Sequence, residues 1–141
     1  MKDVTLRITG KQQINDGDSD EMEFLTEGRL HTRGNTLYIT YDETELSGMP
    51  GCTVQLAVKG DSVRMRRRGE PLSEGTEIRF EKDKRYTGVF DTPYGSVRME
   101  VLTTKVDNRI GPENKGVLAI DYDISLQGLS EGHSRLELEI I

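Results

Sequence analysis

Apolar and polar residues alternate along nearly the whole chain, and Gly, Pro, Asn or Asp interrupts each run. Val4-Thr5-Leu6-Arg7-Ile8, Val54-Gln55-Leu56-Ala57-Val58, Val97-Arg98-Met99-Glu100-Val101 and Leu118-Ala119-Ile120-Asp121-Tyr122 all follow this rule. A period of two marks a strand with one face in a core and the other in water. No window carries a sustained 3.6-residue stripe, so helices are not expected to cover the sheet. Such a sheet has to close on itself or pack against a second one, and a closed sheet encloses an interior.

The breaks predict nine or ten strands in the 141 residues. The first spans about 3–13 and the second 21–31, with an acidic turn at 15–20 between them and a bulge near Gly28. The third, 36–43, follows the tight turn Arg33-Gly34-Asn35. The longest break, 44–51, has room for one helical turn, and Gly48, Pro50 and Gly51 forbid more. The strongest hairpin signal is the pair of alternating runs 52–59 and 62–68 around Gly60-Asp61. Strands at 76–81, 85–91, 96–108 and 116–127 follow, then a turn at 128–134 and a last strand at 135–141. Short turns between sequential strands favour a single closed antiparallel up-and-down β-barrel over residues 1–141, with a two-sheet β-sandwich as the alternative.

Composition narrows the function classes. The net charge of −6 disfavours generic nucleic-acid binding. With one cysteine, Cys52, and two histidines, neither an internal disulfide nor a structural zinc site is expected. His31 and His133 both read as loop residues, so no metal or haem site is expected either. The N-terminal segment goes straight into alternation without an apolar h-region, and no apolar run is long enough to span a membrane, which predicts a cytoplasmic protein. No nucleophile elbow, phosphate-cradling Gly loop or zinc motif is present, so no enzymatic activity and no cofactor are expected.

The chemistry that remains lies in a basic strand and the tyrosines. If Val63 and Met65 face inward, so does Arg67, while Arg64, Arg66 and Arg68 face out. An interior guanidinium is suited to anchor a carboxylate or phosphate. The plain alternatives are a wet strand end, or an Arg67 already paired with an internal Glu or Asp. Tyr86, Phe90 and Tyr94 share one parity, Tyr41 goes with Leu37 and Ile39, and Tyr122 goes with Leu118, Ile120 and Ile124. A tyrosine hydroxyl beside Arg67 would complete an anion site; the alternative for each ring is core packing. Arg67, Tyr86, Tyr94 and Tyr122 are therefore the candidate ligand-binding residues. Cys52 shares the apolar parity of Val54, Leu56 and Val58, as a small buried hydrophobe would.

Arg67-Arg68-Gly69, Tyr86, Thr92-Pro93-Tyr94-Gly95, Thr103-Thr104 and the strand from Gly116 to Leu126 with Tyr122 resemble, in order and spacing, the DUF1934 family of small bacterial β-barrels. The resemblance covers most of the chain and implies a lipocalin-like, or calycin, barrel. It brings no established activity. By analogy of fold it implies an interior that takes a small hydrophobic or amphipathic molecule. The chain lacks the Trp that lipocalins commonly carry near their first strand. Two functions are thus expected to compete. One is a barrel holding a small amphipathic or anionic molecule, with no nucleic-acid or membrane partner. The other is a side-chain-filled barrel acting as a protein-interaction or scaffold module. The sequence leaves the oligomeric state open.

Overall fold

The computed structural model describes residues 2–14, 18–44, 49–127 and 130–141. Its strands are β1 (Lys2–Ile14), β2 (Asp18–Arg33), β3 (Thr36–Asp42), β4 (Cys52–Lys59), β5 (Ser62–Gly69), β6 (Thr76–Phe80), β7 (Arg85–Thr92), β8 (Gly95–Asn108), β9 (Gly116–Leu126) and β10 (Ser130–Ile140). All belong to one antiparallel sheet in the order β6-β5-β4-β3-β2-β1-β10-β9-β8-β7. One continuous sheet replaces the sandwich alternative, and it curls into a nearly closed up-and-down barrel. The first and last strands pair in mid-sheet, with Leu6 opposite Ile140. The two edges, β6 and β7, are consecutive in the chain and meet at a seam. No helix among the described residues is long and apolar enough to cross a membrane.

No strand ladder closes the seam; side chains and one loop do. The Asp91 N–H donates to Thr76 Oγ1 (2.9 Å). Its carboxylate accepts from the N–H groups of Glu74 and Gly75 (2.8 Å each) and from Ser96 Oγ (3.1 Å). At the other end the loop between β6 and β7 is pinned to β8: Asp83 N–H donates to Thr103 O, and Thr103 N–H to Lys84 O. The base is tied by Asn108, whose amide donates to Gly60 O in the β4–β5 turn (2.8 Å).

Alternation then sorts the side chains. Leu6 and Ile8, Leu37 and Ile39, Val54, Leu56 and Val58, Val63 and Met65, Ile78 and Phe80, and Leu118 and Ile120 point inward and are buried. Register departs from simple parity at one place. The β8–β9 pairing shifts between Thr103 and Lys105, so the inward face passes from Met99, Val101 and Thr103 to Val106 and Asn108. The bulge expected near Gly28 is therefore here instead. At Gly28 the pairing is regular on both sides. Gly is needed there for close approach, since an added Cβ would come within 2.5 Å of Leu6 Cδ1.

Two further expectations change. β10 begins at Ser130 rather than 135, because the Ser- and Gly-containing stretch pairs with β9 (Gly132 opposite Ile124, Ser134 opposite Tyr122) instead of turning. His31 and His133 accordingly lie on strands, not loops. β2 already begins at Asp18, inside the expected acidic turn, and residues 15–17 lie outside the described residues, as do residues 45–48 of the segment with room for a helical turn.

Backbone N–H donors hold the Asp91 carboxyl below the usual aspartate range. A depressed folded-state pKa stabilises the fold above the unfolded value, and this contribution is lost as pH falls through the folded value. Urea midpoints are therefore expected to fall on acidification below about pH 4. Asp91→Asn, already weakened at neutral pH, should show a smaller acid-dependent drop. Equal acid sensitivity of the two proteins would remove Asp91 from the seam account.

Candidate functional site

The barrel is filled unevenly. Leu37, Val58, Val63, Phe80 and Leu118 pack its base, and all are buried. Toward the other end lies a cavity of about 420 Å³. Its walls are Ile8, Phe24, Val54, Leu56, Met65, Ile78, Phe90, Ile124, Leu136 and Leu138, with Tyr41, Arg67, Tyr122 and Ser134 among them. Lys11, Gln12, Asp20 and Arg135 also line it, from the end where the β1–β2 and β9–β10 turns lie. Small inward residues make the space. Gly10 faces the cavity, and a Cβ built on it would meet nothing within 4 Å.

Arg67 is the cation of this interior. Its inward position follows from the parity of Val63 and Met65, and its side chain is 17% exposed. It is already paired. Glu43 continues the inward series Leu37, Ile39, Tyr41 one step past β3, held by its N–H donating to Cys52 O (2.8 Å). Arg67 Nε donates to Glu43 Oε2 (3.1 Å) and Nη2 to Oε1 (3.2 Å), and the Glu43 side chain is 2% exposed. Arg67 lines the cavity and Glu43 does not, so the carboxylate lies behind the guanidinium. Glu43 takes Nε and Nη2 and leaves Nη1 uncommitted to it.

Burial dominates the electrostatics around the pair. It raises the Glu43 carboxyl above its ordinary value, although Arg67 pulls the other way. It pushes Tyr41 up to about 12, with Glu43 adding to the effect. It raises Tyr122, against a hydrogen bond from Ser134, and it raises the Cys52 thiol, with Glu43 again adding. At neutral pH the tyrosines are neutral hydroxyls, and the thiol has no thiolate character to make it a nucleophile. The arrangement can accept a shape and offer hydrogen bonds.

Of the sequence candidates, Arg67 and Tyr122 share the cavity. Tyr122 also packs against Phe80 at a tilt of 52°, with centroids 4.9 Å apart. Tyr86 is inward and half-buried, but it packs on the core and its own strand, where a Cβ on Gly88 would come 2.9 Å from its ring; it does not line the cavity. Tyr94 is not in the interior at all. It is 98% exposed, because β7 ends at Thr92 and Thr92-Pro93-Tyr94-Gly95 forms the turn into β8. Beyond the strand end, parity no longer assigns a face. Glu43, Tyr41, Ser134 and Gly10 are the site residues that the sequence reading did not single out. For Glu43 the available signal was the parity of β3 carried one residue further.

The outer face holds polar rows without a comparable interior. His133 Nδ1 lies 2.8 Å from Asp123 Oδ1, and Arg135 bridges Asp121 and Glu137. A concavity of about 580 Å³ beside them is larger than the interior one, but Arg85, Glu100, Asp123, Glu131 and His133 on its walls are exposed. It lacks the enclosure that strengthens polar recognition. Among the described residues no His, Cys, Asp and Glu cluster is arranged to hold a metal ion.

The fold and site define a small up-and-down β-barrel, packed at its base and hollow toward one end, with a buried Arg–Glu pair on the cavity wall. The chain belongs to the DUF1934 family, described as a domain of unknown function, whose profile matches residues 6–138. The crystal structure of the ywiB protein from Bacillus subtilis is similar: 19% identity, a TM-score of 0.76, and coverage of 99% of this chain and 93% of that one. At this identity the likeness is one of fold. No curated protein matches the chain in sequence.

Removing one member of a buried ion pair strands the other, whereas replacing both with apolar residues does not. Glu43→Ala should cost about 3–5 kcal/mol in urea unfolding, and the double replacement Glu43→Met with Arg67→Met should be neutral or gain about 1–4 kcal/mol. A small effect of Glu43→Ala would place the pair in water.

Proposed function

We propose that this protein is a binding module that holds a small amphipathic molecule with an acidic or hydrogen-bond-accepting head inside the barrel. The cavity carries the reading. Its volume, about 420 Å³, lies within the range of about 300–1,000 Å³ common to small-molecule sites. Its walls are mostly apolar, and Arg67, Tyr41, Tyr122 and Ser134 are among the polar groups set into them. An apolar tail is driven in by the loss of wetted surface, and the Nη1 group of Arg67, which Glu43 does not take, orients the head. The neutral hydroxyls add donors that need no change of charge. This division of labour, apolar walls with a few fixed polar groups, is typical of ligand pockets.

Gly10 offers a test that leaves the polar groups intact. Gly10→Leu places its side chain in the cavity without backbone conflict. It should raise the melting temperature of the free protein, by filling the void and restricting the unfolded chain. Wild type should melt higher with dodecanoate or dodecanol, and Gly10→Leu should lose most of that shift. If neither compound shifts the wild-type melting curve nor adds its mass in native mass spectrometry, the interior-site reading fails.

A further inference from the structure

We propose that Glu43 sets the charge of the interior site, so that an ionised amphipathic acid enters it together with one proton. The inference rests on the interior-site reading above and names the form in which the site accepts its ligand.

The site is electrically complete before any ligand arrives. Glu43 occupies the Nε–Nη2 edge of Arg67 at 3.1 and 3.2 Å, and both side chains are largely withdrawn from water. The pair sums to zero charge. Among the described residues the titratable groups that face Glu43 or its partner come from four strands: Tyr41 on β3, Cys52 at the start of β4, Arg67 on β5 and, next to Arg67, Tyr122 on β9. Arg67 is the one cation among them. At the cavity mouth one cation, Lys11, and one anion, Asp20, both line the opening, and Arg135 is committed to Asp121 and Glu137.

A ligand carboxylate on the Nη1 edge of Arg67 makes two carboxylates share one guanidinium in a low-dielectric interior. Two like charges so placed do not both persist; one takes a proton. Burial already favours protonation of Glu43, and a second anion pushes the same way. Whether the proton rests on Glu43 or on the ligand, the balance is the same. One ligand anion and one proton enter, and the site remains neutral. A neutral head carries no such requirement.

The linkage has a definite sign. Where the free ligand and free Glu43 are both ionised, affinity for an acid falls by about tenfold for each unit rise in pH. It levels off below the Glu43 pKa. Affinity for an alcohol of the same chain length stays flat.

Calorimetric titration of the wild-type protein with dodecanoate, in two buffers of different ionisation enthalpy and over a range of pH, reads the proton directly. The expected result is uptake near one proton with dodecanoate and none with dodecanol. In Glu43→Gln the uptake should disappear, and dodecanoate should bind with little pH dependence. If that variant does not fold, the wild-type protein carries the test through its pH series: affinity for dodecanoate should fall about tenfold per unit rise in pH while that for dodecanol stays flat, and equal pH dependence of the two probes overturns the inference. Binding of dodecanoate by wild type without proton uptake overturns this inference and leaves the interior site standing. Failure of both probes to bind defeats the interior site, and the inference with it.

Discussion

A period-two sequence places a side chain on one face or the other of a sheet, but only closure turns one of those faces into an interior. Here closure falls to β6 and β7, which carry no ladder between them. Asp91 supplies what the ladder does not. Its carboxylate gathers two backbone N–H groups from the segment preceding β6 and a hydroxyl from β8, while its own N–H reaches Thr76. A carboxylate that accepts several donors is a strong local tie, because charge-assisted hydrogen bonds exceed neutral ones. Without that tie the inward residues of β5 and β6, Arg67 among them, would face an open groove.

The interior that results is divided between packing and space. Large aliphatic and aromatic groups meet at the base, where the sequence offers Leu37, Val58, Val63 and Phe80. Toward the other end the inward positions pass to Gly10 and Ser134, and the opposite wall carries Arg67. A buried ion pair is a poor way to stabilise a fold, since its desolvation cost rivals its attraction. Two methionines in place of Glu43 and Arg67 would fill the same region at no loss. The pair makes physical sense as a polar fixture on the wall of a cavity, where a guanidinium held along one edge by Glu43 presents its Nη1 end in a fixed direction.

Much of this was legible in the residues. The β4–β5 hairpin was readable because alternation and turn chemistry are both local, and they agree around Gly60-Asp61. The inward position of Arg67 followed from Val63 and Met65 two and four residues earlier. What escaped was non-local or lay at the end of an element. Glu43 sits just past β3, and nothing local says that it meets a residue 24 positions away. Tyr94 shares a parity with Tyr86 and Phe90, but the strand stops first. The bulge at Thr103–Lys105 is an event of pairing between β8 and β9, and no composition marks it. Gly132 and Ser134 read as a turn because small residues usually do; in this barrel they pair with β9, and Ser134 lines the cavity.

Thr103 joins the two halves of the account. Its N–H and C=O are both spent on the loop that closes the β6–β7 seam. It stands opposite Tyr122 in the β8–β9 pairing, at the point where the inward face changes parity. Backbone commitments therefore fix its side chain inside the barrel, where Oγ1 is buried without a hydrogen-bond partner among the described residues. An unsatisfied buried hydroxyl costs about 1–3 kcal/mol, a cost the closure of the seam has to exceed. The residue that anchors the edge of the sheet thus also lies beside the tyrosine on the cavity wall.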